Sequence, residues 1–130
     1  MEYRLRGEIA PDELNALVSS SWEEGRVSGW PAVLSHSLTW VTAHEDGRLV
    51  GFVHVAWDGG AHAFLLDPTV HPSMRRKGIG TTLVRMAVQS ARDSGAEWLH
   101  VDYEPHLEPF YARCGFEPTK AGLIRLASVN

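Results

Sequence analysis

The sequence predicts an α+β fold, with three antiparallel strands in succession and then single alternations of helix and strand. Three observations carry that expectation. Residues 38–43, 49–57 and 61–66 are β-branched, aromatic or apolar runs set close together and parted by turn residues. Asp46-Gly47 lies between the first two runs, and Asp-Gly in that position is a strong hairpin signal. One long stretch of helical spacing, beginning at Ile79, separates the third run from the next strand candidate at residues 98–103. The order read from the residues is β-α-(α)-βββ-α-β-α-β.

Residues 3–6 alternate and read as a short first strand. Pro11-Asp12-Glu13 opens a helix that runs through Val18, because proline and acidic side chains suit a first helical turn. Residues 19–37 lose the pattern, with Gly25, Gly29 and Pro31 interrupting it, so a second short helix or a loop is expected. Its tryptophans, Trp22 and Trp30, either line a substrate cleft or cap the core. Asp58-Gly59-Gly60 turns the chain into the third of the central strands. Asp67-Pro68 interrupts that strand, since proline has no N–H for a ladder, and Thr69-Val70 resumes it. From Ile79, apolar residues recur through Leu83, Met86, Ala87 and Ala91, with Arg85, Gln89 and Arg92 on the solvated side. Ser94-Gly95 ends this helix, glycine suiting the left-handed position beyond it. Residues 98–103 alternate as a strand. Leu107, Phe110, Tyr111 and Cys114 return to helical spacing, with Pro109 limiting the start and Gly115 closing the end. Phe116 and residues 123–126 are expected as closing strands.

At 130 residues the chain suits one domain, residues 1–130, large enough to bury about 65% of its unfolded surface. Its 44% hydrophobic and 22% charged residues exclude a disordered tail. A net charge of -4 argues against general nucleic-acid binding, which needs a broad basic face. The lone cysteine, Cys114, permits no internal disulfide and fits a reducing compartment. The charged N-terminus has no apolar signal-peptide region, and no apolar run reaches membrane-spanning length, so a cytoplasmic protein without a membrane partner is expected.

Within this acidic chain one cationic cluster stands out: Arg75, Arg76 and Lys77, followed by Gly78, Ile79, Gly80 and Thr81 where the long helix begins. The first N–H groups of a helix are unpaired and carry partial positive charge, which suits a phosphate. Gly78 and Gly80 let a ligand approach the backbone without a Cβ in the way. Two common phosphate motifs fail on the residues. The P-loop needs its lysine after the glycines, and Lys77 precedes Gly78. The dinucleotide fingerprint needs a third glycine where Leu83 stands.

What matches is R-x-x-G-x-G, as Arg75-Arg76-Lys77-Gly78-Ile79-Gly80. It resembles the acetyl-CoA pyrophosphate loop of the GNAT superfamily of N-acetyltransferases. A second stretch, Phe110-Tyr111-Ala112-Arg113-Cys114-Gly115-Phe116, is similar to the family's F-Y-x-x-x-G-F. The element order agrees too, so the resemblance covers nearly the whole chain. It implies the GNAT fold: a mixed, mostly antiparallel central sheet with helices on both faces and strands that splay at the cofactor site. It implies acetyl-CoA as co-substrate and direct transfer of the acetyl group to the primary amine of a small molecule or peptide. Residue by residue, it implies that Val70 offers main-chain groups to the pantetheine arm. Backbone N–H groups of Arg76, Lys77, Gly78, Ile79, Gly80 and Thr81 would hold the pyrophosphate, with the Arg75, Arg76 and Lys77 side chains beside them. Tyr111 would face the cofactor sulfur and stabilise the leaving thiolate. The resemblance is also compatible with a homodimer, though no residue pattern marks an interface.

The acceptor amine must lose a proton before it attacks, and Glu45, His54, His62, Asp67, His71, His100, Asp102 and Glu104 all stand on or beside the central strands. The residues do not single one out. Many family members carry an asparagine two helical turns before the tyrosine. Here that place falls near Glu104, in a stiff, acidic stretch with Pro105 and Pro109. The seven histidines show no close ligand spacing, so no metal is expected. Cys114 falls at a helix C-terminus, which disfavours a thiolate and an acyl-cysteine route. Two other readings stay open: a non-catalytic CoA-binding sensor or scaffold of the same fold, and an interaction domain without cofactor.

Overall fold

Asp46 and Gly47 both take positive φ, 51° and 78°, and turn strand β2 (Ser37–Glu45) tightly back onto β3 (Arg48–Trp57). This hairpin is the centre of the computed structural model, which describes residues 1–21 and 29–127. Around it lie β1 (Glu2–Leu5), α1 (Pro11–Ser21), α2 (Trp30–Ser35), β4 (His62–Val70), α3 (Ile79–Asp93), β5 (Trp98–His100) and α4 (Glu108–Arg113). The strands form one five-stranded sheet in the order β1-β2-β3-β4-β5. All neighbours are antiparallel except β4 and β5, which run parallel. No described helix is long and apolar enough to cross a membrane.

The central hairpin is apolar on both faces because helices cover both. On one face Val41, Val53, Val55, Ala63 and Leu65 pack with Ile79, Leu83 and Ala87 of α3 and with Tyr111 of α4. On the other, Phe52 packs with Leu14, Leu17 and Val18 of α1 and with Trp30 of α2. Trp30 is therefore a core residue, and its cleft reading is corrected: its ring meets Phe52 edge-on at 5.5 Å. Trp22 lies outside the described residues.

Gly51 seats the start of α3. A Cβ there would come within 2.9 Å of Leu83, 3.1 Å of Ala43 and 3.2 Å of Ile79. Glycine is thus required by a close approach of helix to sheet. A Gly51→Val variant is expected to lose about 1–3 kcal/mol of stability in denaturant unfolding, the usual cost of an overpacked core. An unchanged midpoint would show that the α3 contact is looser than it looks.

Two expectations need correction. The alternation of residues 98–103 continues past the real strand, because β5 keeps a pairing partner only through His100. The closing strands expected at Phe116 and residues 123–126 do not form: residues 117–127 hold no secondary structure. Their apolar pattern suits a strand, yet no strand among the described residues pairs with them.

Candidate active site

The Asp67-Pro68 break is a bulge inside β4, not an end to it. His54 of β3 pairs with Leu66, and Phe52 pairs with Thr69, so β4 carries one extra residue. Asp67 absorbs it in a left-handed conformation (φ 54°), which aspartate tolerates better than most residues, and Pro68 needs no ladder partner. On its other side, β4 keeps β5 as partner only at His62, Ala63 and Phe64. Beyond Phe64 the β4–β5 pairing stops, and the two segments part ahead of Val70.

Past Val70, His71 anchors the next turn by donating its N–H to Val50 O at 2.8 Å, while its ring accepts from Ser73 N at 3.1 Å. The basic turn follows. Arg76 (φ 65°) and Gly78 (φ 78°) are both left-handed, and such alternation aims successive N–H groups inward. Thr82 N closes the first helical turn on Gly78 O at 3.1 Å. The N–H groups of Ile79, Gly80 and Thr81 take no backbone partner among the described residues. All three residues line a hollow of about 270 Å³, together with Val70, Met74, Arg75, Arg76, Gly78 and Phe110. Of the eight residues expected at the cofactor, only Lys77 lies outside this lining. Met74 and Phe110 complete the wall; Met74 carried no signal of its own, and Phe110 stood in the F-Y-x-x-x-G-F stretch without an assigned place at the cofactor. The Val70 carbonyl already accepts a hydrogen bond from Ser21 Oγ at 3.1 Å, which ties the end of α1 to this wall. A larger, shallower hollow of about 560 Å³ lies by Gly7–Ala10, Leu34 and Trp40, away from the basic turn.

Tyr111 is 4% exposed and does not line the hollow, but its neighbour Phe110 does. Its ring stacks on Tyr103, on the far wall of the splay, at 4.8 Å, and meets Phe110 edge-on at 4.9 Å. Burial pushes its phenol up to about 12, helped by the negative charges that Cys114 and Asp102 can carry. The shift has a stability consequence. The unfolded phenol ionises from about pH 10, so the folded state is fully favoured below that pH and loses stability as pH climbs toward 12. Melting curves between pH 9 and 12 should fall less steeply in Tyr111→Phe than in the parent chain. Cys114 is likewise pushed up by burial, with Arg85 and Arg113 opposing, which disfavours its thiolate.

The proposed bases separate clearly by geometry. His62 and His100 contact each other at 2.8 Å in the open, His71 is spent on Ser73, and Asp102 and Glu104 are exposed. His54 differs. It is 2% exposed, stacks on Phe52 and meets Trp30 edge-on. Its Nε2 lies 2.8 Å from Asp67 Oδ2 and its Nδ1 lies 3.1 Å from Ser37 Oγ. Ser37, which the sequence reading did not flag, has one hydroxyl proton and donates it to Val33 O at 2.9 Å. The His54 Nδ1 is then the donor toward Ser37, and the His54–Asp67 contact holds a single shared proton. The bulge carries Asp67, and with it this contact, to a point on β4 midway between the last β4–β5 partner and Val70.

The fold is that of solved acetyltransferases. A GNAT-family acetyltransferase from Streptococcus pneumoniae TIGR4 superposes with a TM-score of 0.78 at 24% identity, over 97% of this chain and 98% of that one. An aminoglycoside N-acetyltransferase crystallised with CoA superposes with a TM-score of 0.74 at 18% identity, over 98% of this chain and all of the other. Residues 7–116 match the Acetyltransferase (GNAT) family, and the chain belongs to it. In sequence it is 29% identical over 126 residues to the mycothiol acetyltransferase of Nocardia farcinica, covering 90% of this chain. The chain spans 40% of that relative's length.

Proposed function

We propose that this chain transfers an acetyl group from acetyl-CoA to the primary amine of a small molecule, by direct attack in a ternary complex. The observation that carries the reading is that the basic turn, the first turn of α3 and Val70 at the end of β4 line one hollow. Pyrophosphate at Ile79–Thr81 would direct the pantetheine arm along β4, from Val70 toward Asp67. A small-molecule acceptor is favoured because the mycothiol and aminoglycoside acetyltransferases named above act on acceptors of that kind.

In this reading the His54–Asp67 pair first releases its shared proton to solvent and then takes the proton of the acceptor ammonium. Without its shared proton that pair is an anion beside the cleft, and gaining one returns it to neutrality. The freed amine attacks the thioester carbonyl, the C–S bond breaks, and the departing thiolate takes up the proton that the attacking nitrogen sheds. Tyr111 serves as a hydrogen-bond donor rather than an acid. With its phenol near 12 and a thiol near ~8.5, full proton transfer would be uphill by roughly 5 kcal/mol. Tyr111→Phe is expected to lower turnover more than acetyl-CoA affinity, and equal turnover would remove the role.

The direct test is thiol release from acetyl-CoA across a panel of amines, with polyamines, amino sugars, amino acids and peptides. Acceptor-dependent release supports the reading. Acetyl-CoA binding without release by any acceptor would point instead to a CoA-sensing module.

A further inference from the structure

His62 Nδ1 and His100 Nε2 lie 2.8 Å apart, in the open. The two rings come from adjacent parallel strands, where His62 pairs with Trp98 and Phe64 with His100. Their neighbours Ala63 and Leu99 pack on the α3 side of the sheet, so both histidines project from the other face. The helices α1 and α2 cover that face over Phe52 but leave His62, Phe64, Trp98 and His100 exposed. We infer that His62 and His100 together hold one divalent transition-metal ion, of the Zn²⁺ or Ni²⁺ kind, with water in its remaining positions. The inference does not depend on the acyl-transfer reading, and neither histidine lines the hollow proposed for acetyl-CoA.

The spacing suits an ion as well as it suits a hydrogen bond. Two Zn–N bonds of about 2.0–2.1 Å, meeting between a right and a tetrahedral angle, set their nitrogens roughly 2.8–3.4 Å apart. Two neutral imidazoles in contact direct one N–H at the other ring's lone pair. To take the ion, the donor ring moves that proton to its far nitrogen through solvent, and both lone pairs turn outward. No proton is lost overall. The rings are free to make that turn because they are exposed, yet the strands that carry them are fixed. Asp58 accepts from His62 N at 3.3 Å and donates its own N–H to His62 O at 3.1 Å. The His100 ring is stacked on Phe64 at 4.8 Å.

The surroundings select the class of ion. No lysine or arginine stands between Asp58 and Met74 or between Asp93 and Ala112, so neither stretch holds a fixed positive charge. Exposed Asp58, Glu97 and Asp102 flank the histidines along the chain, in a protein of net charge -4. Among the described residues no third His, Cys, Asp or Glu joins the pair, so water completes the coordination. Two imidazoles without a carboxylate suit Zn²⁺, Ni²⁺ or Cu²⁺, whereas Mg²⁺ and Ca²⁺ want oxygen ligands. The histidines stand 38 positions apart, which hides them from any reading of close ligand spacing, because only the β4–β5 register joins them. Phe64 and His100 are the last β4–β5 partners, so a bound ion ties the two strands where their pairing stops. Only the folded chain brings the rings together, and the ion therefore adds to its stability.

Calorimetric titration of the untagged chain with Zn²⁺ is expected to show one equivalent bound with a Kd below about 0.1 mM. Saturating Zn²⁺ should raise the melting temperature as well. His62→Gln and His100→Gln should each weaken binding by on the order of a hundredfold, the advantage that two ligands held together have over one. His106→Gln, an exposed histidine outside the pair, should leave binding as it was. Weaker binding by the unmodified chain, or full affinity in either His62→Gln or His100→Gln, would overturn the inference. Nuclear magnetic resonance of the histidine rings in the unmodified chain decides the matter should a variant fail to fold. One equivalent of Zn²⁺ should shift the ring nitrogens of His62 and His100 together and leave the other histidines in place. A shift confined to other histidines, or to one member of the pair, would place the ion elsewhere and sink the site.

Discussion

Gly80→Glu is expected to weaken acetyl-CoA binding by roughly a hundredfold or more, close to 3 kcal/mol. Gly80 stands in the first turn of α3, where its N–H has no backbone partner. A Cβ on it would point between Phe110 at 3.6 Å and Val70 at 3.8 Å, which are two walls of the hollow. A glutamate side chain starting there would fill the space proposed for the pyrophosphate and set a negative charge against it. At about 4 Å and a surface-like dielectric, one such repulsion costs roughly 4 kcal/mol before any displacement is counted. The fold should survive, because an acidic residue at a helix N-terminus is stabilising. Gly80→Ala is the control. Its Cβ would make only ordinary contacts, so it should keep its melting temperature and most of its affinity. Calorimetric titration with acetyl-CoA reads both variants. Unchanged affinity in Gly80→Glu would remove the cofactor from this turn.

The reach of sequence reasoning follows the range of the interactions involved. The basic turn was legible because its cations, glycines and helix start are contiguous, and local geometry gathers all of them but Lys77 around one hollow. The hairpin at Asp46-Gly47 was legible for the same reason, since two positive-φ residues suffice to make it. The ends of strands were not. Alternation says that a segment can lie on a sheet, but it cannot say whether a neighbour is present. That is why residues 101–103 and 123–126 read as strands and proved unpaired. The Ser37–His54–Asp67 chain was hidden for a related reason. Each residue was visible as a polar side chain, yet their meeting depends on a one-residue register shift between β3 and β4. Proline in a strand announced an irregularity at Asp67-Pro68, but not the direction in which the aspartate would turn. Trp30 was ambiguous because an indole fits a core and a cleft equally well, and only Phe52 and His54 beneath it decide.

Asp67→Asn should reduce turnover by roughly 10²–10⁴-fold, the usual worth of a positioned proton acceptor, while acetyl-CoA affinity stays near that of the parent chain. The substitution is chosen for its backbone. Asp67 sits at φ 54°, and asparagine tolerates that conformation as aspartate does, so the bulge in β4 is kept. Alanine would add strain of about 1–3 kcal/mol and confuse a chemical loss with a structural one. The amide can still meet His54 Nε2 at 2.8 Å, as donor or acceptor, so the melting temperature should change little. What disappears is the anion that takes the proton from the acceptor. His54→Gln tests whether the pair acts as a unit. If one proton is shared between Nε2 and the carboxylate, either single change breaks the same relay, and the double variant should be hardly slower than the worse single one. Effects that multiply would mean two independent roles. Unchanged turnover in Asp67→Asn, with the acceptor saturating, would exclude the pair as the base and turn attention to the exposed His62–His100 contact on the same wall.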